Sequence, residues 1–344
     1  VIKYLVEYFR GNAKLLAEDG YFTDFISNGV STELCFVAFC AFTLIIIFAG
    51  VQNGIERVSK IMMPILIVLS VIIAVYSVTR PGALAGVKYF LVPNVKNFSW
   101  MTVVSAMGQM FYSLSIAMGI LITFGSYMKK DTAIEDSTRN VEVFDTGIAI
   151  MAGLMIIPAV FAFSGGDPDT LQAGPSLMFI TIPKVFQNMG FGTVIGIVFF
   201  LLVLFAAVTS SIALTESAVS TFEDELGWGR KKATVLVGVI MLVLGSLSSL
   251  GYGPLAGIKI IGMQFLDLFD FLTNSVMMPI AALLTSLLVS RVVGIDKIEE
   301  EIIHGESAFR RKKVFVVMIK YLCPVFAIII LLSSVANALG WIKM

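Results

Sequence analysis

Residues 235–247 read VLVGVIMLVLGSL. No helical or strand period leaves this stretch a polar face, so a helix surrounded by lipid is the structure that satisfies its backbone. Working outward, stretches of the same kind recur between short polar connections. The 344 residues are 58% hydrophobic and 14% charged, with a mean hydropathy of +0.93, which the surface of a soluble domain of this length would not tolerate. Crossing the hydrocarbon takes about 20 apolar residues. Eight spans meet that length, at approximately 32–50, 61–79, 99–128, 141–163, 192–221, 233–250, 265–292 and 314–339. The fold class is therefore an all-α polytopic membrane protein, with 1–344 taken as a single transmembrane domain in the plasma (inner) membrane.

Orientation follows from lysine and arginine. Alternate connections carry Arg57 and Lys60, then Lys129, Lys130 and Arg139, then Arg230, Lys231 and Lys232, then the long basic connection over 293–313; these lie in the cytoplasm. On the opposite side, 80–98 and 164–191 hold apolar runs too short to cross, expected either as helices lying over the outer face as lids or as plain surface packing. The chain opens at Val1 without an initiator methionine or a signal-peptide pattern, and is expected to be truncated at its N-terminus.

Composition narrows the chemistry. Net charge is zero, the one histidine is His304, and the three cysteines have no zinc-ligand spacing, which argues against nucleic-acid partners and against metal catalysis. An intramembrane enzyme would need a nucleophile–base pair or a metal set inside the spans, and neither pattern occurs.

Polar groups do occur at mid-depth. In SAMGQMFYSLSIAMGILITFGSYM (105–128), Ser113 and Ser115 flank Leu114 between Gly108 and Gly119. Such residues release backbone groups from the helical ladder, which survives in a membrane only beside a polar cavity, so a broken helix is expected; close packing of small residues is the alternative. In FAAVTSSIALTES (205–217), Ala206, Thr209, Ser210 and Ser211 offer oxygens at similar depth, suited to a hard cation such as Na⁺ if the helix loosens. Hydroxyls bonding back to their own helix would explain the same residues. Asp145 begins the fourth span, where a carboxylate is costly and a cation is its natural partner, snorkelling to the interface being the other explanation. Asp267 and Asp270 open the seventh span as an interfacial cap or half of a gate.

Several long motifs then occur in order: GQMFYSLSIAMGILITFGSY, TAIEDS, PAVFAF, GPSLMFITIPKVF and TSSIALTESAVSTFEDEL. Over almost the whole chain this resembles the neurotransmitter:sodium symporter family, particularly its bacterial amino-acid transporters. The resemblance implies an inverted-repeat transporter fold running from the end of family helix three through helix eleven, lacking most of the first three helices. It implies a first sodium at Ser113 and Asp145, where many members have Asn, and a second at the Ala206 carbonyl, Thr209 and Ser210. It implies a substrate pocket lined by Tyr112, Ser113, Ser115, Met118, Ser210 and Leu214. Gln109 and Asp270 match the outer gate, and Tyr127 and Asp224 the inner gate. Gly54 and Pro64 are spaced as in members whose fifth helix unwinds toward the cytoplasm; proline removes a donor and makes opening cheap.

Two departures matter. Met118 stands where an aromatic is frequent, and its flexible thioether would admit varied apolar side chains. Asp145 brings a charge beside the first sodium that could replace chloride. The resemblance therefore implies sodium-coupled symport of a hydrophobic amino acid by alternating access, with two sodium sites in the complete protein and no covalent chemistry; whether chloride is required stays open. The alternatives are a partial or inert transporter lacking its first helices, and a channel.

Overall fold

The computed structural model describes residues 1–167, 174–306, 308–338 and 341. The outer connection over 164–191 thus has its residues 168–173 outside the described residues, and the cytoplasmic connection over 293–313 its residue 307. Among the described residues there is no strand, and seven helices are long and apolar enough to cross a membrane: Gly29–Phe48, Val51–Val78, Ile134–Ser164, Gly192–Leu226, Arg230–Leu250, Phe265–Val293 and Lys312–Ala338. The third span, expected over 99–128, is in two pieces, Trp100–Ser113 and Ile120–Ser126.

Several helices outrun the spans read from hydropathy. Val51–Val78 begins ahead of residue 61, and Ile134–Ser164 ahead of residue 141. Hydropathy marks only the part matched to hydrocarbon, whereas a helix once started gains a hydrogen bond with each residue added and continues through the polar interface.

By its contacts the chain forms two compact units, residues 1–94 with 147–259 and residues 95–146 with 260–344, where the sequence suggests one domain. In the first, Gly192–Leu226 is the axial helix, against which Ile2–Phe9, Gly29–Phe48, Arg57–Val78 and Arg230–Leu250 pack. Its core gathers Tyr4, Tyr8, Val160, Val185, Phe186, Phe199 and Phe200. Helices approach closely where a side chain is missing. A Cβ on Gly196 would lie 2.3 Å from the Tyr8 ring, and one on Gly245 would lie 2.1 Å from Phe36.

Both outer connections carry short helices. Ala83–Leu91 seats Gly86 against Pro158, where a Cβ would come within 2.8 Å. Ile182–Gln187 buries Ile182, Val185 and Phe186. The wide-turn segment Leu177–Thr181 ahead of it is held by the Tyr4 hydroxyl, which donates to the Phe179 carbonyl at 2.8 Å. Lys184 bonds Asp19, and the Tyr76 hydroxyl donates to the Gly190 carbonyl.

The second unit packs Phe265–Val293 against Lys312–Ala338, and Trp100–Ser113 against the latter. Its small core is Phe111, Met278 and Ile330, with Met107, Ile116 and Met118 around it. Both long helices contain wide π turns, at Phe271–Met277, Leu288–Val293 and Met318–Leu322. A π turn misaligns the ladder; the Ser286 hydroxyl donates to the Ile319 carbonyl at 2.6 Å within one of them.

Candidate functional site

The break in the second unit starts at Ser113. Up to it the residues follow ordinary helical geometry; then Ser115, Ala117 and Gly119 take φ of +54°, +64° and +78°. Two of these are not glycine, and each such residue costs on the order of 1–3 kcal/mol, which persists only where surrounding structure imposes it and which concentrates at functional sites. The Leu114 amide still bonds the Met110 carbonyl at 3.0 Å, and the Ile116 amide reaches the Phe111 carbonyl at 3.0 Å. Among the described residues no backbone amide bonds the carbonyls of Ser113 and Leu114. Gly119, in the left-handed conformation, restarts the helix at Ile120.

Against this break stands Asp145. The Ser113 hydroxyl donates to Asp145 Oδ1 at 2.6 Å, the short distance of a charge-assisted bond. Asp145 sits within Ile134–Ser164 and not at its end, so the carboxylate meets Ser113 and is not left to the interface alone. A hydroxyl, a carboxylate and two released carbonyls form an all-oxygen set, the donor chemistry of a hard cation. Tyr112 is exposed, Ser115 half-buried, and Met118 half-buried in the Phe111 core.

In the first unit, Ala206, Thr209, Ser210 and Leu214 lie on Gly192–Leu226. The helix does not loosen there, contrary to one expectation. Thr209 Oγ1 donates to the Phe205 and Ala206 carbonyls at 3.1 and 3.0 Å, the back-bond that satisfies a threonine inside a helix without opening it. The Thr209 hydroxyl and the Ala206 carbonyl are nonetheless adjacent oxygens. Ser210 and Leu214 are exposed. Ser211 turns the other way and meets Thr43 of Gly29–Phe48 at 3.0 Å.

The gate residues fall unevenly. Asp270 accepts from Asn274 Nδ2 at 2.6 Å, one turn on, and with Asp267, Ser275 and Ser334 it lines a cleft of about 260 Å³. Gln109 is exposed on Trp100–Ser113. Tyr127 follows Ile120–Ser126 and packs edge-on to Phe124 with ring centroids 6.1 Å apart. Asp224 belongs to the first unit, in the last turn of Gly192–Leu226. Gly54 lies in a wide-turn segment, Val51–Glu56, and Arg57–Val78 runs intact through Pro64. Gly54 has a packing reason of its own, since a Cβ there would be 2.1 Å from the Ile46 carbonyl oxygen.

Sequence reading passed over Glu216. Its carboxylate is fully buried on Gly192–Leu226 and takes both nitrogens of Arg230 at 2.6 and 3.0 Å. Arg230 Nε also donates to the Ile47 carbonyl at 3.0 Å, closing the end of Gly29–Phe48. The signal was present, because a carboxylate inside an apolar span must have a partner.

Comparison with known proteins follows the same pattern. The family described as "Sodium:neurotransmitter symporter family" matches residues 3–341. The sodium-dependent transporter YhdH of Bacillus subtilis is 32% identical over 339 residues, which is 97% of this chain and 74% of that protein. A sodium-dependent transporter of Methanocaldococcus jannaschii is 30% identical over 75% of this chain and 52% of its own length. The crystal structure of MhsT in complex with L-phenylalanine superposes with a TM-score of 0.83 at 33% identity, covering 97% of this chain and 75% of MhsT. A multi-pass helical architecture, an oxygen-lined helix break and a match over nearly the whole length lead to one assignment: the chain belongs to the sodium:neurotransmitter symporter family, whose members are secondary transporters and not enzymes.

Proposed function

We propose that the protein carries a hydrophobic amino acid into the cell together with sodium, by alternating access. The family and its relatives already give sodium-coupled transport of an amino-acid-like substrate; the finer reading rests on the Ser113–Asp145 contact at the helix break. Sodium bound among the Ser113, Asp145 and released carbonyl oxygens gives the substrate's carboxylate a cation to bind, and the broken helix offers its ammonium the remaining carbonyls. Tyr112, Ser115 and Met118 then meet the side chain. Met118 makes that part of the pocket deformable and apolar, and MhsT, which is solved with L-phenylalanine, supports an apolar substrate.

A second sodium at the Ala206 carbonyl, Thr209 and Ser210 needs the Thr209 hydroxyl to turn its lone pairs toward the ion while keeping its back-bond. Release inward begins at Val51–Glu56 and Pro64, where wide turns and a missing amide donor leave the helix with fewer bonds to break. Sodium favours one arrangement and its loss the other, and the coupling is the difference between its affinities for the two. Chloride is unnecessary because Asp145 supplies the negative charge.

The test is counterflow in proteoliposomes made with the protein. Saturable exchange of labelled phenylalanine, leucine or tryptophan that requires sodium and is lost in Ser113→Ala is expected. Non-saturable flux would point to a channel; sodium dependence unchanged in both Ser113→Ala and Thr209→Ala would remove both ion sites.

A further inference from the structure

The cytoplasmic end of the helix that carries Asp145 is not capped by its own sequence. Thr132 and Glu135 have the spacing of a capping box, in which Glu135 would turn back on the start of its own helix. It does not. Two amides of the first turn of Ile134–Ser164, those of Glu135 and Asp136, donate to Glu306 Oε1 at 2.6 and 3.2 Å. Glu135 sends its carboxylate across in return, accepting from the amides of Arg310 and Arg311 at 2.9 and 3.1 Å, just ahead of Lys312–Ala338. Each helix start is thus satisfied by a carboxylate from beside the other. The Arg311 guanidinium closes the arrangement on Glu142 Oε2 at 2.8 Å and lies 3.9 Å from Glu135 Oε1. Backbones touch directly as well, since a Cβ on Gly305 would be 2.5 Å from the Thr132 carbonyl oxygen.

All these residues belong to the second unit. Glu135 is nearly buried, its side chain 11% exposed, so its carboxylate depends on these donors and not on water. An intact helix is a stiff rod, and from Glu135 to Asp145 it runs about 15 Å at 1.5 Å per residue. Glu142, gripped by Arg311, is one turn below Asp145. A binding constellation works only when its members are held to within about 0.5 Å, and a slip of one residue at the capped end would move Asp145 by about 1.5 Å along the axis. Ordinary capping would need only a local Ser, Thr or Asp; a reciprocal clasp between segments 171 residues apart sets the height of the helix against a second element.

We propose that Glu135 and Glu306 are positioning residues for the sodium ligand Asp145, holding its helix at the height at which Asp145 meets Ser113. The proposal rests on the reading of Ser113 and Asp145 as sodium ligands. Sodium alone is the probe. In the detergent-purified protein, thermal unfolding is followed as choline chloride is exchanged for sodium chloride, and the sodium concentration giving half of the rise in Tm is read for each variant.

Glu306→Ala should raise that half-point about fivefold or more while keeping the full rise at saturating sodium. Glu306→Gln, whose amide oxygen can still accept both N–H groups, should return most of the difference. If Glu306→Ala lowers Tm equally at every sodium concentration and leaves the half-point in place, the clasp is a cap and nothing more, and the proposal fails. Asp145→Ala and Ser113→Ala run alongside: half-points unchanged in these two sink the ligand reading itself, whereas shifts in these two without one in Glu306→Ala sink only the positioning role. Should Glu306→Ala not fold, Glu135→Gln weakens the same clasp, since only one of its two side-chain oxygens is left to accept from the Arg310 and Arg311 amides. A raised half-point there supports the proposal, and an unmoved one overturns it.

Discussion

Ser113 and Asp145 come within 2.6 Å, hydroxyl to carboxylate, across 32 residues of sequence, and Ser113 is the last helical residue before the break. The bond orients the hydroxyl proton onto Asp145 and leaves the lone pairs of both groups for a cation. Asp145→Asn keeps an oxygen and removes the charge. Loss of a charge-assisted ligand on the order of 1.5 kcal/mol or more should raise the sodium half-saturation for substrate binding about tenfold. On the proposed reading it should also make uptake depend on chloride. Replacing chloride by gluconate at constant sodium checks both: collapse of uptake in the unaltered protein would show that Asp145 does not stand in for the anion.

Glu216 and Arg230 form a buried pair whose Glu216 side chain is 0% exposed. Removing Arg230 strands the buried Glu216 charge, which costs about 3–5 kcal/mol, whereas replacing both with apolar residues costs much less; Arg230 itself is 22% exposed and also reaches Glu223 Oε2 at 3.5 Å. Arg230→Met should therefore lower Tm sharply and broaden the elution profile in detergent. Glu216→Leu combined with Arg230→Met should recover much of the loss. Equal stability of the single variant and the unaltered protein would show that the pair does not tie these helices together.

Gly54 faces the Ile46 carbonyl oxygen at a distance that leaves a Cβ 2.1 Å away. Backbone cannot yield as a side chain does, so Gly54→Ala should destabilise by about 1–3 kcal/mol, read as a drop in Tm. The same substitution pushes the Val51–Glu56 turns away from Gly29–Phe48 and should speed sodium release to the cytoplasmic side in efflux assays. An Ala variant of unchanged Tm would mean the close approach does not hold in the membrane.

Asp19 and Lys184 tie the outer segment Ile182–Gln187 to the loop after Ile2–Phe9. The Lys184 ammonium, by hydrogen bond and then by charge, holds the Asp19 carboxyl below its ordinary 3.8. A depressed carboxyl stabilises the folded form above its unfolded pKa and loses that contribution as pH falls through the folded one. The Tm advantage over Asp19→Asn should therefore be constant from pH 5 upward and fade below about pH 4. It should be small throughout, since the pair is open to solvent and salt. An advantage that persisted undiminished at pH 3 would assign it to something other than this ion pair.

Much of the architecture was legible along the chain. The apolar runs marked the seven long apolar helices among the described residues, because crossing lipid depends on local composition. The break over 114–119 was legible from Ser113, Ser115 and Gly119, since hydroxyls and glycine at mid-depth weaken the ladder where leucine would strengthen it. Thr209 was ambiguous: the same side chain serves as cation ligand or back-bonded hydroxyl, and its bond to the Ala206 carbonyl emerges only from the intact helix. Glu216 was legible in kind but not in partner, because its arginine lies beyond a turn on another helix.

By itself the sequence determined that long apolar helices made for lipid dominate this protein and which residues bring oxygens into them, because each of these depends on a residue and its near neighbours. Tertiary structure alone decided which oxygens meet. Ser113 finds Asp145, and Glu306 displaces the local cap that Thr132 and Glu135 would have made, because partners far apart along the chain are chosen by how helices pack and by the need to satisfy every buried donor.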